Sequence, residues 1–210
     1  MQTGEGYIRM NRLTISLLAL SIFLIMPGSG RTQSTGTITG QIIVKGFKNA
    51  SDAVIYLETK DGTMQKATNA TAEMDQKNFM FQPHVLPIQV GTTVEFLNSD
   101  AELHNVFTPD KIADKFNLGS WPQGQKRSYT FRRPGAVVLL CHVHPEMEGW
   151  VVISPTPYFT KSGPDGKFIL PNVPSGDYTV KAWHEKTQEA EQSVTVTAGQ
   201  TANINFTVTR

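Results

Sequence analysis

The chain has 210 residues, of which 39% are hydrophobic and 18% are charged. This composition is typical of a globular protein with enough residues for one large domain or two small ones. The formal net charge is only +1, and the sequence has no long block of like charges. Neither a nucleic-acid partner nor a charged binding tail is therefore expected.

Residues 1–30 have the pattern of a secretory signal peptide. Arg9 and Arg12 precede an apolar run at residues 13–26, and small helix-breaking residues follow at 27–30. The apolar run is shorter than the roughly 20 residues that a transmembrane helix needs, although an uncleaved N-terminal anchor is the alternative. We therefore predict a periplasmic or secreted protein with no membrane span after signal cleavage.

Most of the remaining sequence predicts β-strands. Alternating or β-branched runs are separated by turn signals rich in Gly, Pro, Asn and Asp, and apolar residues do not recur at helical spacing for more than a turn or two. The predicted fold class is therefore all-β, organised as two β-sandwiches. The predicted strands lie at residues 35–45, 53–59, 85–97, 127–131, 136–140, 150–153, 167–170, 177–183, 192–197 and 202–208.

The single cysteine opens a motif of metal-ligating residue types. Cys141, His144 and Met147 form a C-x-x-H-x-x-M pattern, and a further histidine, His104, lies upstream. A thiolate, two imidazoles and a thioether are the ligand set of a mononuclear blue-copper site. A lone thiol cannot form an intrachain disulfide after export, and metal ligation gives it a role. Zinc could occupy the same set, but the sequence lacks the second C-x-x-C or H-x-x-x-H pair of a zinc finger.

Three segments around this motif resemble the cupredoxin family, the group of plastocyanin and amicyanin. They are the strand and glycine turn at residues 81–96, the N-x5-H-N-V segment at 98–106, and the final hairpin at 131–152 with its short amicyanin-type spacing. The resemblance implies a Greek-key β-sandwich over residues 67–154. The ligands that it implies for one type 1 copper ion are His104, Cys141, His144 and, axially, Met147.

Further predictions concern the surroundings of Cys141. On an extended strand, the side chain of His142 points to the opposite face and cannot share the metal. The backbone N–H groups of Asn105 and Val143 are free to donate hydrogen bonds to the thiolate. In multicopper oxidases and nitrite reductases, a histidine immediately before the cysteine bridges to a second copper. Because Leu140 occupies that position here, no oxygen-reducing or nitrite-reducing cluster is expected.

The roles of several neighbouring residues stay open. Glu146 or Glu148 could displace the thioether and create an open coordination position, although solvated loop charges are the simpler expectation. His84 and His184 are expected to be structural or surface histidines. An apolar docking patch for a redox partner could lie around His144. The residues expected in that patch are Phe107, Trp121, Pro122 and Pro145.

Residues 163–180 resemble the carboxypeptidase regulatory-like, transthyretin-type sandwich, through a D-G-K-F-x-L-P segment followed by G-D-Y. That family begins with two strands ahead of this segment, whereas residues 156–210 offer only about five of roughly seven strands. We therefore predict that residues 34–66 supply the missing strands and that the cupredoxin, 67–154, is inserted between the two parts. The rival interpretation assigns 35–66 to the cupredoxin. The smaller sandwich is expected to have a docking or structural role.

Together, these patterns predict an exported protein that carries one electron at a time between redox protein partners and that is not an enzyme. A periplasmic copper-binding protein for delivery or storage is the main alternative. A small copper enzyme with an open coordination position is a less favoured alternative.

Overall fold

The computed structural model describes residues 1–2 and 34–210, so the predicted signal peptide lies outside the described residues apart from its first two positions. No helix in the described part is long and apolar enough to cross a membrane. The described residues form sixteen strands and one short 3-10 helix, which confirms the all-β prediction. The strands are β1 (Thr35–Val44), β2 (Val54–Thr59), β3 (Thr71–Lys77), β4 (Met80–Gln82), β5 (Val85–Gln89), β6 (Thr93–Asn98), β7 (His104–Phe107), β8 (Asn117–Trp121), β9 (Lys126–Thr130), β10 (Gly135–Leu140), β11 (Glu148–Ser154), β12 (Phe159–Lys161), β13 (Lys167–Pro174), β14 (Gly176–Trp183), β15 (Ala190–Val196) and β16 (Thr201–Val208), and the helix is Lys111–Ala113.

The strands form four sheets, and these sheets enclose two separate hydrophobic cores. The smaller sandwich consists of the sheets β13-β1-β16 and β12-β2-β14-β15, and the larger one of β5-β11-β10-β7-β8 and β4-β3-β6-β9. Buried and more exposed residues alternate along β14 and β16, because successive side chains of a strand point to opposite faces. The cores include Ile38, Ile42, Leu57, Val180 and Phe206 in the smaller sandwich, and Phe96, Val106, Trp121, Leu139 and Met147 in the larger one.

The first two strands pair with strands near the end of the chain. β1 is antiparallel to β13 and parallel to β16, and β2 lies between β12 and β14. These pairings support the proposal that residues 67–154 are inserted between 34–66 and 156–210. The two ends of the insert lie close together, since the amide of Gln65 donates to the carbonyl oxygen of Pro155 at 2.8 Å. Such proximity is what an inserted domain requires.

The two sandwiches share a small hydrophobic cluster. Trp183 of β14 packs there with Val85 of β5 and Val152 of β11. The indole rings of Trp150 and Trp183 have their centroids 5.2 Å apart. These contacts join the two sandwiches, and residues 34–210 belong to one compact unit.

His84 and Glu185 form a polar contact between the sandwiches. Nε2 of His84 lies 2.9 Å from Oε2 of Glu185, and Nδ1 lies 3.2 Å from the carbonyl oxygen of Glu148. Burial by itself raises the pKa of Glu185, but the hydrogen bond from His84 and the nearby positive charges oppose it. The pKa of this carboxyl therefore lies below its ordinary value of 4.5.

A polypeptide of residues 156–210 alone should be unfolded or aggregated. In that fragment β13 and β16 lose β1, their shared neighbour, and β12 and β14 lose β2. Joining residues 34–66 to 156–210 through a short linker should restore a folded sandwich without copper. Circular dichroism and amide NMR spectra measure both outcomes, and a well-folded 156–210 fragment would contradict the insertion.

Glu185→Gln should lower the free energy of unfolding at neutral pH by about 0.5 kcal/mol, a small value because the side chain of His84 is 41% exposed. The folded-state pKa of Glu185 is depressed, so its stabilisation is fully present above the unfolded-state pKa and is lost as the pH falls through the folded-state pKa. Urea unfolding of both proteins across the acidic range measures the difference. A difference that persists undiminished well below about pH 4 would contradict the prediction.

Candidate metal centre

Strand pairing brings the predicted ligands to one end of the larger sandwich. His104 is the first residue of β7, and Cys141 directly follows β10. The two strands are antiparallel, with Leu140 opposite Phe107. Continuing this register places the residues after Leu140 beside the beginning of β7. His144 lies in the same segment, between β10 and β11.

Three metal-ligating side chains converge at this end. The ligand atoms of His104, Cys141 and His144 all lie within 4.8 Å of one another, and they form the only such cluster found among the described residues. His104 is 0% and Cys141 is 3% exposed, whereas His144 is partly exposed. The Nδ1 atoms of the two histidines are 3.1 Å apart. Two nitrogens that bind one ion at about 2.0 Å and a tetrahedral angle are about 3.3 Å apart, so these side chains could hold a metal ion.

Met147, the predicted axial ligand, lies next to the cluster in the chain and is buried with it. Its side chain is 1% exposed and belongs to the same hydrophobic core as Cys141. The amide of Met147 donates to the carbonyl oxygen of His144 at 3.0 Å, which closes a tight turn. This turn fixes the short segment between two of the predicted ligands.

The carboxylate of Asp100 contacts the imidazole ring of His104. Oδ2 of Asp100 lies 2.9 Å from Nε2 of His104, and the carboxylate also accepts hydrogen bonds from the amides of Asn78 at 2.7 Å and Phe79 at 3.0 Å. Burial raises the pKa of Asp100, but these hydrogen bonds outweigh it and hold the pKa below its ordinary range. A proton on Nε2 leaves the lone pair of Nδ1 directed at Cys141 and His144, as metal ligation requires.

Asn105 fixes the sulfur of Cys141 and the backbone that follows it. Its amide N–H lies 3.5 Å from Sγ, as predicted, and its Oδ1 accepts a hydrogen bond from the amide of His142 at 3.3 Å. The side-chain amide of Asn105 also donates to the carbonyl oxygen of Gly119 at 2.8 Å. The expectation of a second donor was wrong, because no hydrogen bond from Val143 to Sγ occurs in the described part of the chain.

The surface around His144 differs from the predicted patch. Trp121 is fully buried, so its assignment to a docking patch was wrong: β8 pairs with β7 and turns this indole into the core. Phe107 is partly buried and stacks on His142, with ring centroids 3.6 Å apart. His142 is exposed and is not part of the ligand cluster, as expected. Three exposed apolar side chains lie beside the cluster: Phe79 contacts both histidines, and Leu103 and Val143 precede His104 and His144 in the chain.

The other residues considered as ligands lie outside the cluster. Glu146 and Glu148 are exposed, and Oε1 of Glu148 accepts a hydrogen bond from the indole of Trp150 at 3.2 Å. His184 is buried, and its Nδ1 accepts a hydrogen bond from the amide of Lys186 at 3.2 Å.

Sequence reasoning missed two residues at this centre, Asp100 and Phe79. Asp100 lies four positions before His104, but a loop spacing does not reveal which backbone amides a carboxylate faces. Phe79 comes from a distant hairpin, and only the parallel pairing of β3 with β6 brings it here.

Two protein-family models match parts of the chain. Residues 68–154 match the family model described as copper binding proteins, plastocyanin/azurin family. Residues 146–209 match the model of the carboxypeptidase regulatory-like domain. No curated protein matches the chain.

Several solved structures resemble part of the chain. A reduced Cu(I) form of an amicyanin variant is 26% identical, covering 42% of this chain and 86% of its own, with a TM-score of 0.39. A copper-containing nitrite reductase from Thermus scotoductus is 28% identical, covering 42% of this chain and 23% of its own, with a TM-score of 0.37. A purple cupredoxin from Nitrosopumilus maritimus is 26% identical, covering 40% and 99%, with a TM-score of 0.36. Residues 68–154 are thus similar to copper-binding proteins of the plastocyanin/azurin family, and residues 146–209 are similar to the carboxypeptidase regulatory-like domain.

Proposed function

We propose that this protein is an exported, mononuclear type 1 copper protein that carries one electron at a time between redox partners. The observation that carries the proposal is the convergence of one buried thiol and two imidazole nitrogens within 4.8 Å. His104, Cys141 and His144 would hold the ion, and Met147 would supply the weak axial thioether. Copper bound by this set provides a Cu(II)/Cu(I) couple, because thiolate and imidazole suit both oxidation states.

The surroundings of the ligands support electron transfer. His104 and Cys141 are both fixed by hydrogen bonds from the protein, through Asp100 and Asn105 respectively. Ligands that are held in this way change position little when the charge of the metal changes, and a small rearrangement favours rapid electron exchange. The deep burial of two of the ligands also supports a carrier over a protein that hands copper to others.

The partly exposed His144 is the proposed point of electron entry and exit. Exposed apolar side chains near it, Leu103 and Val143 among them, provide a surface on which a redox protein could dock without a large desolvation cost. The two exposed carboxylates beside Met147 are outside the ligand cluster, which supports a carrier over an enzyme with an open coordination position.

Cys141→Ser should abolish the intense visible band of the copper-loaded protein, because the thiolate is the electron donor in that charge-transfer transition. The metal-free variant should stay folded by circular dichroism. His142→Ala is the matched control: its ring stacks on Phe107, away from the ligand cluster, and its loss should leave the visible spectrum nearly unchanged. A coloured serine variant would refute the thiolate assignment.

Met147→Leu should keep the colour and raise the reduction potential by an amount on the order of tens of millivolts, because the axial ligand tunes the potential of such sites. Loss of the weak thioether donor destabilises Cu(II) relative to Cu(I), and leucine preserves the buried volume. Voltammetry at one pH measures the shift. An unchanged potential would mean that Met147 is a core residue and not a ligand.

A further inference from the structure

The hairpin between β3 and β4 has an unusual residue at its tip. Lys77 and Met80 are paired, so Asn78 and Phe79 form a two-residue loop. Both have positive φ angles, 54° and 57°. Such loops prefer Asn followed by Gly, because a residue with a bulky side chain is strained in the left-handed region. Asn78 follows this preference, whereas Phe79 is a conformational outlier where glycine would fit without strain.

A carboxylate beside the candidate metal centre fixes this strained backbone conformation. The carboxylate of Asp100 accepts hydrogen bonds from the amides of both loop residues and contacts Nε2 of His104. One side chain therefore holds the hairpin tip and a candidate metal ligand in a fixed relation. Backbone strain of this kind persists only where its surroundings enforce it, and an observed outlier of this kind is grounds for a functional hypothesis.

The ring of Phe79 lies against both histidines of the cluster. Its centroid is 4.9 Å from that of His144 and 5.9 Å from that of His104, and both contacts are edge-to-face. The side chain is 41% exposed, whereas His104 is fully buried. One part of the ring thus faces solvent and another part covers the imidazoles.

We propose that Phe79 is an aromatic cap that limits the access of water, small anions and chelators to the cluster of His104, Cys141 and His144. The proposal rests on the proposed metal site, because its benefit is to keep external ligands off a bound ion. An apolar covering controls solvent access to a metal centre, and thereby favours electron transfer over ligand exchange. The strain at Phe79 is then the cost of placing a ring where the turn favours glycine.

The first experiment uses the metal-free protein and measures alkylation of Cys141 by iodoacetamide at one pH. The thiol is the only one in the sequence, so the rate reports a single group. Phe79→Gly should accelerate alkylation several-fold, because it removes the ring and suits the positive φ. Asn78→Gly is the matched control, since it relieves strain at the neighbouring position without removing the ring. Its rate, and that of Phe79→Tyr, should stay close to that of the unaltered protein.

The second experiment uses the copper-loaded protein and measures copper removal by EDTA and the spectral change caused by azide. Copper removal should be faster, and the spectral change larger, only in the two variants that lack the ring, Phe79→Gly and Phe79→Asn. Thermal unfolding shows whether each variant is folded, and Phe79→Asn, whose short side chain tolerates the left-handed region, is the second variant without the ring.

Equal alkylation rates in the folded ring-free variants and the unaltered protein would overturn the cap. Equal acceleration in Asn78→Gly would also overturn it, because the backbone of the hairpin and not the ring would then protect the thiol. An unaltered protein that fails to bind copper would refute the proposed function, whereas the metal-free rates would still decide whether Phe79 shields the cluster.

Discussion

The pairing of β10 with its two neighbours is the constraint on which the candidate centre depends. β10 lies between β7 and β11, so the segment that leaves its end must pass the beginning of β7 before it returns as β11. That path contains Cys141 and His144 and passes His104, the first residue of β7. His104 begins a strand, Cys141 directly follows one, and His144 lies in the tight turn that ends at Met147, so strand ends and one turn position all three residues.

Asp100 links the ligand cluster to a hairpin outside it. A single carboxylate holds the ring of His104 and the tip of a hairpin that comes from the opposite sheet. The pKa of Asp100 is depressed because these donors stabilise its charged form more than burial disfavours it. The same contact therefore selects the tautomer of one candidate ligand and places Phe79 over the cluster. The orientation of His104 and the position of Phe79 therefore both depend on one partly buried carboxylate.

Strand β11 connects the centre to the smaller sandwich. It begins immediately after Met147, and two residues further it carries Trp150, whose ring contacts Trp183. The carbonyl oxygen of Glu148, the first residue of β11, contacts His84, which also contacts Glu185 of the smaller sandwich. The end of the ligand segment is therefore held from both sandwiches. These contacts join the smaller sandwich to the strand that follows the candidate centre.

The sequence alone predicted the all-β class, the types of ligand residue and the strand count that implied an inserted domain, because alternation of apolar residues and the chemistry of Cys, His and Met are local properties. It predicted the Asn105 donor correctly, but it was wrong about Val143 as a donor and about Trp121 as a surface residue. Those outcomes depend on strand register, which decides the direction of each amide and side chain. Asp100 and Phe79 acquire their roles only in the folded protein, because residues far apart in the chain meet at His104 through long-range pairing that no local pattern encodes.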